Sequence, residues 1–289
     1  MCSAVGHEYS GLSMCASENK HSKKTLMKKA LFLIYGVVAY VIFLGTFLYA
    51  IGFVSSLLVP KHIDSVPETP LDHALLINAG LLTLFALQHS IMARPAFKKW
   101  WTMFIPEPIE RSTYVLFASV CLMLLFFYWQ PLGGVIWDVE SPALRLALQT
   151  FSMTGFTIVL VSTFLINHFD LFGLRQVWLY ALGRPYETLP FRTPLFYKYV
   201  RHPLYLGFLI AFWSTPTMTV AHLFFAIMTT GYILTAIQLE ENDLVKTFGK
   251  RYREYKQSAP MIIPFLQRSK RKPVNVDFEN ETTAGKVNS

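Results

Sequence analysis

The sequence predicts an all-α protein: a polytopic transmembrane bundle of five to six helices, the last two forming a helical hairpin, with an amphipathic C-terminal helix at the cytosolic face. Three observations carry that prediction. Of the 289 residues, 53% are apolar and only 15% charged, and mean hydropathy is +0.38, which leaves too little polar side chain to cover a water-soluble surface. The apolar residues gather in runs of about twenty, the length that crosses a hydrocarbon core about 30 Å thick at about 1.5 Å per residue. Lys and Arg gather between those runs, on alternate connections.

Residues 1–29 are polar and carry Lys20, Lys23, Lys24, Lys28 and Lys29; with few apolar residues to offset chain entropy, this head reads as disordered. The first apolar run, 30–57, is too long for a signal-peptide core and lacks a clean small-residue cleavage site, so it reads as a retained anchor. Three further spans follow at 74–93, 113–130 and 143–167. The last pair, 203–214 and 219–239, is split by Thr215-Pro216. Its first arm is too short for an untilted helical crossing, and re-entry and a strong tilt are both open. The membrane domain is expected to cover 30–266, with 267–289 a second polar, disordered tail.

If the N terminus is cytoplasmic, alternate connections place 24 Lys and Arg inside and 2 outside, a strong positive-inside bias. Both termini are therefore expected in the cytoplasm. The same placement argues against nucleic acid as the partner of the +8 net charge, because the basic residues border spans that lie in a lipid bilayer. Cys2 and Cys15 fall in the polar head and Cys121 within a span, giving neither a disulfide framework nor metal-ligand spacing. No metal is expected, and no Gly-rich phosphate loop occurs.

The charge at the last pair of spans is the main functional signal. Arg201 and His202 precede its first arm, and Glu240 and Glu241 end its second. A hairpin returns to the face it left, so the four share one depth, where carboxylates are costly unless paired or used. Pro203 suits the first position of a helix, whose free N–H groups and positive end can hold a carboxylate. Gly207 allows a ligand or a neighbouring helix to approach closely. Two readings stay open: Arg201 and His202 anchor a helix end and Glu241 pairs with Arg201, or the group holds a ligand. The connection 168–201, with His168, Asp170, Arg175, Gln176, Arg184, Tyr186 and Tyr199 among large apolar residues, reads as a structured cap. Beyond Glu241, the stripe Leu244, Phe248, Tyr252, Tyr255 reads as one amphipathic interfacial helix ended by Pro260.

Residues 201–207 (Arg-His-Pro-Leu-Tyr-Leu-Gly), Glu240-Glu241-Asn242-Asp243-Leu244, 248–255 and the 260–264 ending together resemble the signature of integral-membrane methyltransferases, the group that includes isoprenylcysteine carboxyl methyltransferase and phospholipid methyltransferases. The stretches 88–95, 110–114 and 167–178 are similar to the NnrU/nurim-like group, and 211–219 is most similar to its methanethiol S-methyltransferases. The resemblance spans nearly all of the membrane domain.

The resemblance implies S-adenosylmethionine as methyl donor, held by Tyr199, Arg201, His202, Pro203, Tyr205, Gly207, Glu240 and Glu241, and a small thiol, methanethiol, as acceptor. Thiolates are the effective sulfur nucleophiles, so a base or a cationic setting is needed at neutral pH. His89 and His168, each close to the inside face, are the candidate bases. A non-catalytic nurim-like protein, and a methyltransferase acting on a lipid, an isoprenylcysteine or a larger thiol, are the competing readings. The sequence leaves the oligomeric state open.

Overall fold

A computed structural model describes residues 6–264, with side chains from residue 23 onward. Five helices are long and apolar enough to cross a membrane: residues 23–55 of α1 (Gly6–Ser55), then α2 (Leu71–Ala93), α4 (Glu107–Tyr128), α5 (Pro142–Ile166) and α9 (Val220–Phe248). Between them lie α3 (Pro95–Trp101), β1 (Val135–Asp138), α6 (His168–Leu171), α7 (Leu174–Ala181), α8 (Pro203–Trp213) and β2 (Thr217–Thr219), and α10 (Lys250–Ser258) closes the described chain. The chain is thus a multi-pass helical membrane protein. The α1 helix reaches back to Gly6, through most of the polar head that composition reads as disordered. The 267–289 tail lies outside the described residues.

The sixth passage is neither a full helix nor a re-entrant arm. Tyr205 and His202, at the start of α8, meet Glu240 and Glu241 of α9, yet β2 pairs antiparallel with β1 beside the start of α9. The distance along α9 from Thr219 to Glu241 is about 33 Å at 1.5 Å per residue, and the 11 residues of α8 supply about half of it. The extended stretch from Ser214 to β2 supplies the rest, with backbone groups met by β1: Val139 N–H donates to Pro216 O at 3.0 Å and Val220 N–H to Gly134 O at 3.2 Å. Non-helical backbone at membrane depth survives only when protein surrounds it in this way, and Met218 is fully buried.

Packing of α8 against α5 holds this irregular passage. A Cβ on Gly155 would sit 2.6 Å from Gly207 O and from Ala211 N, and one on Gly207 would sit 2.7 Å from Gly155 O. The two backbones therefore touch, as small residues allow in membrane helices, and Ser152 Oγ donates to Ala211 O at 2.9 Å. The main apolar core, with Phe53, Leu125, Phe126, Trp129, Phe156 and Phe225, lies toward the β1–β2 end. The polar groups expected to do chemistry lie at the other end.

The stripe from Glu241 to Tyr255 is divided between two helices. Gly249 sits at φ 58° between α9 and α10, a conformation that glycine adopts without a Cβ penalty, and it turns α10 back across the site end.

Candidate active site

The chain folds back on Arg201 and His202 because their backbone is paired. Arg201 N–H donates to Pro260 O at 2.9 Å and His202 N–H to Met261 O at 3.1 Å, so the 260–264 ending lies against the start of α8. Tyr255, on α10, donates its hydroxyl to Tyr197 O at 2.5 Å. Burial raises the Tyr197 and Tyr255 hydroxyls above the usual tyrosine range, which keeps both neutral donors.

Glu241 is the hub of this closure. Its carboxylate is buried and receives Arg201 Nε at 2.6 Å, Lys256 Nζ at 2.7 Å and His202 Nε2 at 3.1 Å. Arg201 directs Nη1 to the carbonyls of Lys256 and Ala259 at 3.0 and 2.6 Å. Both Arg201 and Glu241 are therefore committed to the protein, which is the pairing reading left open by the sequence. Gly207 is likewise occupied by the α5 contact and offers no ligand approach.

Glu240 differs from its neighbour. Its side chain is 43% exposed and accepts the Tyr205 hydroxyl at 3.0 Å. The first helical bond of α8 runs from Leu206 N–H to His202 O; Pro203 has no N–H, so the N–H groups of Leu204 and Tyr205 point out of the helix start without helical acceptors. A helix start beside a half-exposed carboxylate can bind a molecule carrying both acceptors and hydroxyl or ammonium donors. Tyr199 lies at the rim, 64% exposed.

A second layer extends from Glu240 into the bundle. Tyr205 is within electrostatic range of Glu240, Tyr232 and Tyr114, and Tyr114 of Tyr232 and Glu240. Tyr114 Oη lies 3.0 to 3.1 Å from the His89 ring nitrogens and can bond one of them at a time; Phe85 stacks on that ring with centroids 5.2 Å apart. Ser90 Oγ meets Tyr232 Oη at 3.3 Å. Arg94 joins Asp243 at 2.8 Å, tying α2 to α9, and the Arg111 guanidinium lies 5.1 Å from the Tyr114 ring centre.

His168 is placed apart from this layer. Asn167, at φ 115°, ends α5 and caps α6 by accepting Asp170 N–H, which turns His168 inward. Its Nε2 meets Tyr40 Oη and its Nδ1 meets Thr163 Oγ1, each at 2.8 Å, while Phe164 stacks on the ring at 4.1 Å. Phe172 separates it from the Met92, Tyr114 and Val115 cluster. Burial lowers its pKa below the usual histidine value. With both nitrogens engaged, His168 fits a packing role better than proton transfer.

Tyr232 and Lys256 were not among the residues singled out from the sequence, and Tyr114 entered only within the 110–114 stretch that carries the resemblance. Tyr114 follows Arg111 by three residues in a helix start, and Tyr232 is an isolated hydroxyl inside an apolar run; both are weak signals. Lys256 gives none, since its partner Glu241 lies fifteen residues away across the Gly249 turn.

Over 242 residues, 84% of this chain, it is 54% identical to a methanethiol S-methyltransferase of Crocosphaera subtropica, covering 95% of that protein. A protein of the same name from Mycobacterium tuberculosis is 52% identical over 84% of this chain and 99% of its own length. The chain belongs to the methanethiol S-methyltransferase family. A more distant likeness, 31% identity over 62% of this chain and 66% of the relative, is to nurim of Xenopus laevis. No family model and no solved structure matches the chain. Membership in this family agrees with the resemblance carried by residues 88–95, 110–114, 167–178 and 211–219.

Proposed function

We propose that this protein transfers a methyl group from S-adenosylmethionine to methanethiol, releasing dimethyl sulfide. The observation that carries the proposal is identity above half, across more than four fifths of the chain, with enzymes named for that reaction. The site end has the groups such a reaction needs. When bound, S-adenosylmethionine supplies an activated methyl: its sulfonium–carbon bond breaks as the acceptor's sulfur–carbon bond forms, and S-adenosylhomocysteine leaves.

The chain's own contributions are binding, orientation and proton removal. Glu240 accepts from the donor's hydroxyl and amino groups, beside the Tyr205 hydroxyl, and the free N–H groups of Leu204 and Tyr205 at the start of α8 donate to acceptor atoms of the same molecule. The Glu241–Arg201–His202–Lys256 hub keeps α8, α9 and α10 in register around them. His89 takes the thiol proton on the ring nitrogen that Tyr114 does not hold. Tyr114 fixes the ring, and the Phe85 face keeps water from one side of it. The site end carries the connections richest in Lys and Arg, so we place it, and both termini, at the cytoplasmic face, where a soluble donor has access.

Membranes containing the protein, given methyl-labelled S-adenosylmethionine and methanethiol, should place label in headspace dimethyl sulfide. Label found in the lipid extract, with none in the headspace, would transfer the proposal to a lipid acceptor.

A further inference from the structure

The methyl-donor reading leaves the donor's α-carboxylate without a cation, because Arg201 and Lys256 are both engaged by Glu241. A second group of cations lies at the same end. Arg94 caps α3, Lys98 is one turn further along that helix, with its N–H on Arg94 O at 3.0 Å, and Arg111 lies in the first turns of α4. Arg94 gives Nη1 to Asp243 and Nε to Ser90 O. Arg111 gives Nε to Leu171 O at 2.9 Å and packs on Tyr114.

Lys98 is half-buried, and among the described residues it makes no ion pair. Glu110 and Asp170 reach it only at electrostatic range, and Asp170 is held by Arg175 at 2.9 Å. Burial lowers the Lys98 ammonium below the usual lysine range, and the Arg111 charge adds to the shift. An arriving anion would relieve that desolvation penalty. Arg94 and Arg111 are also within electrostatic range of His89, and Tyr114 lies within range of Arg111 and Glu240 together. Phe97 and Trp101 of α3 pack on the Met92, Tyr114 and Val115 cluster, and Arg111 lies over the Tyr114 ring at 5.1 Å, so the three cations border the His89–Tyr114 layer.

We propose that Lys98 and Arg111 form the subsite for the donor's α-carboxylate, opposite the Glu240–Tyr205 side that takes its hydroxyl and amino groups. This inference rests on the methyl-donor reading. A lipid phosphate would meet the neighbouring Lys99, which is exposed, rather than the half-buried Lys98. The acceptor thiolate must approach the sulfonium beside His89.

The test is calorimetric binding to the full chain in detergent of two ligands, S-adenosylhomocysteine and S-adenosyl-3-thiopropylamine, which lacks only the carboxylate. Lys98→Ala should weaken S-adenosylhomocysteine about tenfold, the loss of roughly one charge-assisted hydrogen bond, and leave the carboxylate-free ligand unchanged. Lys98→Arg should restore most of the affinity. Unchanged binding of the carboxylate-free ligand also reports that the variant is folded. In turnover, KM for the donor should rise and KM for the thiol should not. Equal weakening of both ligands, no weakening of either, or a rise confined to the thiol KM overturns the subsite. Wild-type protein that binds neither ligand overturns the methyl-donor reading as well, so the two failures are distinguishable.

Discussion

Adjacent glutamates about two turns before the end of α9 have opposite roles because one is buried among three cations and the other is half-exposed. Removing the Glu241 carboxylate strands Arg201, whose side chain is 9% exposed, so Glu241→Ala should destabilise the fold by about 3–5 kcal/mol, read as a lowered thermal midpoint in detergent. Glu240→Gln should leave that midpoint close to wild type and raise KM for the donor about tenfold, the value of a hydrogen bond to a charged group. The two histidines should also separate. His89→Ala should lower kcat by about 10²-fold or more, as loss of a general base does, whereas His168→Gln should retain most of kcat. His168 instead sets an acid dependence of stability. Its folded pKa is depressed, so below about 6.5 the unfolded chain binds the extra proton, and stability falls as pH drops through that value. The wild-type midpoint should drop between pH 7.5 and 5.5 by more than that of His168→Gln. The sequence placed Arg201, His202, Glu240 and Glu241 at one depth because a hairpin must return to its own face. It could not show which glutamate is engaged, since Lys256 reaches Glu241 only through the Gly249 turn. Nor could it show that Tyr40 and Thr163 occupy both His168 nitrogens, since Tyr40 lies on a helix 128 residues away.

Among the elements, the helices were the most legible part of the fold. The apolar runs mark α2, α4 and α5 to within several residues, because a lipid core demands a fixed length of apolar helix, whereas α1 begins 24 residues before its run and α9 continues nine residues past its own, both through polar sequence. Two departures have physical reasons. The 203–219 passage is half extended because β1 offers its backbone a partner, and β1, Val-Ile-Trp-Asp, is too short and too evenly exposed to show a strand alternation of its own. The interfacial stripe breaks at Gly249 because its φ there is positive, a local choice that side-chain periodicity does not record. The Gly155–Gly207 contact is also hidden in sequence, since each glycine reads as permissive until its partner is known. Gly155→Val should force backbone atoms apart that lie 2.6 Å from a new Cβ, destabilising the fold by about 1–3 kcal/mol or more, with a lowered yield of folded protein as the readout. The same substitution at Gly45, where a Cβ meets nothing within 4 Å, should have little effect.

Across the whole molecule, polarity is divided between the ends. The main aromatic core lies toward the β1–β2 end, while the Glu241 hub, the His89–Tyr114 layer and the Arg94–Lys98–Arg111 group share the end bordered by 18 of the 20 Lys and Arg whose side chains are described. If that end faces the cytoplasm, a C-terminal tag should be cleaved by protease in inverted vesicles and protected in right-side-out ones. On the proposed reading, a soluble donor would then reach Glu240 and Tyr205 from that side, and a small apolar thiol would enter from the bilayer. Methyl transfer through Glu240 is decided by purified protein given trideuteromethyl S-adenosylmethionine and methanethiol, with the headspace read by mass spectrometry for wild type and Glu240→Gln. Wild type should release trideuterated dimethyl sulfide, and the variant should release much less at donor concentrations below its raised KM. Unlabelled headspace from the wild type, or equal release from both at every donor concentration, would contradict it.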